Sequence, residues 1–98
     1  MNESKPDKEF WDLSDTFIAL ANQHCDSVRS GKVSAAQLYA TARFNSFVVA
    51  SLAKSKEELS ANRVEYLTYF VSQFEKMLRE NLRDYEDNFE KYIGQKSA

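Results

Sequence analysis

Few side chains of this 98-residue chain have any claim to chemistry: a single histidine, a single cysteine, and an arginine set among alanines. His24 and Cys25 are neighbours, and their types would suit a base and a nucleophile. Adjacent helix positions point about 100° apart, however, so the two side chains do not converge on one reacting atom. A zinc ion needs three or four ligands, and carboxylates would have to supply what one His and one Cys cannot. A packed cysteine and a histidine at the edge of a core are the expectation, with no catalytic residues, metal site or cofactor.

Arg43 lies in "VSAAQLYATARFNSFVVASLA", residues 33–53, a stretch that is otherwise almost apolar. On a helical wheel it shares a face with Ala36, Tyr39, Ala40, Phe47 and Ala50, while Gln37, Thr41 and Asn45 form a thin polar stripe opposite. Asn45 is therefore expected at the surface and Arg43 inside. An unpaired buried guanidinium is costly, so an acid should meet it, with Asp12, Asp15 and Glu65 as the available partners. The alternative is an interhelical pocket in which Arg43 binds a small molecule or serves an enzyme. Tyr39, Tyr66 and Tyr69 could add hydroxyls to such a pocket, although aromatics at helical spacing more simply belong to a core.

Motifs that would signal an enzyme are missing. No Glu-x-x-His pair, Gly-x-Ser-x-Gly elbow or His-Glu-x-x-His run occurs. With two glycines in the chain, a loop that cradles phosphate has nothing to be built from. The net charge of −2 argues against a nucleic-acid partner, because the basic stripe Lys76, Arg79 and Arg83 is interleaved with Glu75, Glu80 and Asp84. No apolar run is long enough for a membrane span, and "MNESKPDKEF" lacks the pattern of a signal peptide. Low cysteine usage suits a reducing compartment, so a cytoplasmic protein is expected.

The elements that must position these residues follow from punctuation and period. Two glycines and one proline leave long helices with short connections. Pro6, Asp7 and Glu9 mark the start of helix 1, about residues 6–30, which gathers Phe10, Leu13, Phe17, Ile18 and Ala21 on one face and should end at Gly31 in a left-handed cap. Ser34 with Gln37 reads as a capping box opening helix 2, residues 34–53, with Val33 and Leu38 as its staple. Ser55 with Glu58 opens helix 3, about residues 56–93, unless a short turn precedes a start near residue 61; its stripe runs Leu67, Val71, Phe74, Leu78, Leu82, Tyr85, Phe89 and Ile93. That spacing is nearer eleven residues per three turns than seven per two, which predicts a straight seam. Residues 1–5 and 94–98 should fray.

A single all-α domain is expected, a three-helix up-down-up bundle with a long C-terminal helix. At ~1.5 Å per residue the helices would span roughly 36, 29 and 57 Å, so the third overhangs the others. The overhang carries Tyr85, Phe89, Tyr92 and Ile93, an apolar patch that a second copy would cover, so the chain is expected to be a homodimer; the alternative is a bend in helix 3 that folds its end back over helix 1. A non-enzymatic interaction or regulatory module that self-associates, offering a helical surface to an unknown protein partner, is the expected role.

The strings "FIALANQHC", "GKVSAAQLYATARFNSFVVAS" and "YFVSQFEKMLRENLRDYEDNF" resemble a family of short proteobacterial proteins, domain of unknown function 3144. The likeness spans about Phe10 to Tyr92. It implies a small all-helical bacterial protein and carries no activity.

Overall fold

The computed structural model describes residues 5–94, so the expected fraying at the two ends falls almost wholly outside it. The described chain is helical, with no strand. Its elements are α1 (Lys8–His24), α2 (Ser30–Leu52), a short α3 (Lys56–Ala61), a long α4 (Arg63–Asp87) and a π-helical turn, Glu90–Gly94. Two compact units are present, Met1–Val48 and Val49–Ala98.

In the first unit, α1 is opened by Asp7, whose carboxylate accepts a hydrogen bond from the Phe10 amide at 2.9 Å. Pro6 therefore precedes the cap instead of sitting in the first turn. The helix ends six residues earlier than the expected Ser30. Its last turn tightens: the Cys25 amide reaches both Ala21 and Asn22 carbonyls at 3.1 Å, and Asp26 and Ser27 bond three residues back at 3.2 Å. Asp26 and Ser27, both poor helix formers, stand at this break, ahead of Gly31.

Gly31 is thus not a left-handed cap. It lies in the first turn of α2, where the chain has already restarted, and no described residue has a positive φ. Ser34 and Gln37 consequently sit inside α2, and the capping box expected there does not open it. The Arg29 carbonyl accepts from the Lys32 and Val33 amides at 3.0 and 3.1 Å, which fixes the true start.

The second unit holds the end of α2 and everything after it. Ser55 caps α3 by accepting from the Glu58 amide at 3.1 Å, as the Ser–x–x–Glu spacing predicts. The Glu58 carboxylate reaches back one residue further than the usual box, to the Lys54 amide at 3.4 Å. Of the two starts the sequence allows, the chain uses both in turn: α3 begins at Lys56, and a break at Asn62 precedes a second start at Arg63. Asn62, at φ −100° and ψ 6°, ends α3 and starts α4. Asn88 then ends α4 at φ −121° and ψ 30°.

Burial concentrates where these pieces meet. Val49 is the one buried hydrophobic residue, at 6% exposure, among the described residues. Ala53, Leu59, Asn62, Tyr66, Tyr69, Phe70 and Gln73 are half-buried, and α3 packs on α4. On α4 the half-buried Tyr66, Tyr69, Phe70 and Gln73 share one face at helical spacing. The stripe expected to form the core lies more than a quarter turn away.

Candidate functional site: the uncovered face of α4

Leu67, Val71, Phe74, Leu78, Leu82, Tyr85 and Phe89 occupy one face of α4 and its continuation, and every one is between 45% and 62% exposed. The 4-3-4 spacing repeats every eleven residues, Leu67 to Leu78 to Phe89, so the stripe runs straight along the helix without drifting around it. Tyr92 and Ile93 extend it through the π turn at 41% and 38% exposure. The expected contrast between a covered stripe and a bare overhang is absent. Each of the stripe's side chains is about half exposed.

One edge of the stripe is charged. Arg79 donates from Nε and Nη2 to the same Glu75 oxygen, at 3.0 and 2.7 Å, the i,i+4 pair that the spacing predicts. Lys91, spaced to pair with Asp87, lies instead 5.8 Å from the centre of the Tyr92 ring. Two open concavities, of 420 and 600 Å³, run along this charged edge. Their lining residues, such as Glu75, Arg79 and Arg83, come from α4 and the residue that continues it. A single helix cannot enclose a substrate, so these are grooves between side chains and not a pocket of the kind that holds a small molecule.

At the C-terminal end of the stripe the chain forms a polar clasp. The Tyr92 hydroxyl donates to Asp84 Oδ2 at 3.1 Å, and Asn88 Nδ2 donates to Asp84 Oδ1 at 2.9 Å and to the Asp84 carbonyl at 3.0 Å. The Tyr92 ring packs on Tyr85 with centroids 4.7 Å apart. The hydrogen bond to Asp84, and then its negative charge, hold the Tyr92 hydroxyl above the ordinary tyrosine pKa. Asp84 and Asn88 give no warning in the sequence, because a contact eight residues apart depends on the wider π turn after Asp87.

The residues singled out for chemistry lie elsewhere. Arg43 is exposed on α2 and lies outside both grooves, and Asn45 is the half-buried residue of the two, the reverse of the wheel assignment. Of the acids expected to meet Arg43 from α1, Asp12 pairs with Lys8 at 2.7 Å. The thin polar stripe turns on itself, with Thr41 Oγ1 donating to the Gln37 carbonyl at 2.9 Å. His24 ends α1 and is exposed, Cys25 is an exposed free thiol, and Tyr39 is exposed as well. Among the described residues no three His, Cys, Asp or Glu side chains gather as a metal site would require.

Comparison with known proteins decides the family. The model of a protein family of unknown function, DUF3144, matches residues 10–86, most of the chain. The chain belongs to DUF3144. A solved structure of similar fold is the NMR structure of protein NB7890A from Shewanella sp., with 30% sequence identity, a TM-score of 0.73, and coverage of 93% of this chain and 97% of that one. That relative comes from a proteobacterium. No curated protein matches. This DUF3144 protein is therefore a small helical protein whose fold recurs in a relative of almost equal extent. Among its described helices none is long and apolar enough to cross a membrane.

Proposed function

We propose that this DUF3144 protein is a non-enzymatic interaction module that works as a homodimer, and that the dimer offers a helical surface to another protein in the bacterial cytoplasm. The observation that carries this reading is the uninterrupted apolar face of α4, exposed along its whole length. Contiguous apolar surface of this extent is rarely left in water on a monomer, and its usual role is to bind. Tyr85, Phe89, Tyr92 and Ile93 form the end of that surface, and the pairing of Tyr85 with Tyr92 keeps the end ordered.

The up-down-up arrangement of the three long helices belongs to the same proposal, because each connection is short and each helix has an apolar face that a neighbour or a second chain can cover. Arg43, exposed on α2, is available to an acid of a partner. The exposed Cys25 thiol suits a reducing compartment. Size-exclusion chromatography with light scattering over the micromolar range tests the reading. A mass of twice 11.3 kDa is expected; a constant 11.3 kDa overturns it.

A further inference from the structure

We infer that Tyr85 and Tyr92 are an oxidative cross-linking site: an oxidant of the peroxide class, acting in one-electron steps, joins their rings by a carbon–carbon bond and staples the π turn to the end of α4. The inference stands apart from the self-association proposed above, because both rings belong to one chain.

Placement comes first. Seven residues of regular α-helix separate two side chains by roughly 10 Å along the axis. The break at Asn88 and the π turn that follows bring the Tyr85 and Tyr92 rings to a centroid distance of 4.7 Å, tilted by 50°. Among the described residues theirs is the one contact between two tyrosine rings, since Phe10–Trp11, Phe44–Phe47 and Tyr69–Phe70 each include a phenylalanine. Both side chains are open to solvent, at 49% and 41% exposure, so a small oxidant reaches them. Two reactants already in contact couple without having to meet by diffusion.

The chemistry balances within these groups. Each phenol gives up one electron and its hydroxyl proton, and the two phenoxyl radicals join through the carbons ortho to oxygen. The ring hydrogens displaced at those carbons move to the oxygens and restore both hydroxyls. Two hydrogen atoms are lost in total: their electrons cleave the O–O bond of the peroxide, and their protons pass to solvent. At Tyr92 the proton has a first destination, since Asp84 Oδ2 already accepts from its hydroxyl at 3.1 Å, within the reach that a proton acceptor needs. Asn88 Nδ2 donates to the other Asp84 oxygen at 2.9 Å and keeps the carboxylate aimed. Lys91 Nζ, 5.8 Å from the centre of the Tyr92 ring, disfavours a positive charge on that ring, so the electron leaves together with the proton.

Illuminated ruthenium tris-bipyridyl with persulfate supplies the oxidant, applied to the dilute full chain in a Cys25→Ser background so that no disulfide adds mass. Trypsin then separates the two tyrosines, because cleavage after Arg83 and Lys91 leaves them in peptides 84–91 and 92–96. The expected product is these two peptides joined and lighter than their sum by two hydrogens, recovered from chains that still migrate at 11.3 kDa. It should be lost in Tyr85→Phe and in Tyr92→Phe. Asp84→Asn keeps an oxygen to hold the hydroxyl but is too weak a base to take its proton, so there the link should form more slowly while the circular dichroism spectrum is unchanged. Tyrosine consumed with no joined peptide in the 11.3 kDa chain overturns the inference. So does a joined peptide found only in chains of doubled mass, which would mean that the two rings come from different copies. A wild-type rate in Asp84→Asn overturns the proton transfer to Asp84.

Discussion

Tyr92, Asp84 and Asn88 form one connected polar group at the end of α4. Asp84 accepts from both Asn88 and Tyr92, so its carboxylate anchors the turn that leaves α4. Because the neutral hydroxyl is the form that donates, the folded-state pKa of Tyr92 is raised above the unfolded value. The clasp therefore contributes its full stability below the ordinary tyrosine pKa of about 10, and that contribution is lost as pH rises through the higher folded value. An ultraviolet titration of tyrosinate absorbance should show one late-titrating group in the wild type, absent from Tyr92→Phe; identical titration curves would contradict the clasp. None of this was legible in the sequence, where Asp84 is one more surface acid. The wheel also reversed Arg43 and Asn45, for a physical reason. Helix α2 is apolar or small on nearly all sides, so its sequence gives no strong vector toward a core, and a face chosen by counting alanines is weakly determined.

Helix ends were legible at Ser55 and misread at Gly31 and Ser34. Ser55 announces itself three residues before Glu58, and the structure uses it as the cap. Ser55→Ala should therefore cost about 1 kcal/mol, read as a lower midpoint in urea with an unchanged slope. Gly31 shows the opposite case. A glycine after an apolar periodic run invites the reading of a left-handed cap, where alanine would be strained. In the structure Gly31 is in the first turn of α2, without a positive φ, and a Cβ there meets nothing within 4 Å. Gly31→Ala should accordingly stabilise the protein by roughly 0.5 kcal/mol through lost unfolded-state entropy, seen as a raised melting temperature. A fall would restore the cap. The break actually comes at Asp26 and Ser27, poor helix formers that are hard to rank against a glycine by eye.

For the molecule taken whole, the all-helical class and the long C-terminal helix were readable from the scarcity of Gly and Pro and from the period of the α4 stripe. What the period cannot say is which surface meets the stripe, since an apolar face has the same pattern whether its cover is another helix of the chain or a second chain. Tyr66 and Tyr69, which the sequence offered as rim aromatics or core, are half-buried on one face of α4 together with Phe70, and the stripe is the more exposed face. If a second copy supplies the cover, folding and association are linked, and stability must depend on concentration. Raising the protein from about 1 to about 100 μM should then add on the order of RT ln 100, roughly 2.7 kcal/mol. Spread over a dimer of two such chains, that corresponds to a melting temperature higher by about 5 to 10 °C, measurable by circular dichroism in cuvettes of matched optical density. Leu78→Asp should flatten the dependence as well as lower the midpoint, because it removes the association step and not only a contact. A wild-type melting temperature that stays constant across that range would mean that the stripe is satisfied within one chain, and that the α4 face has to be explained without a partner.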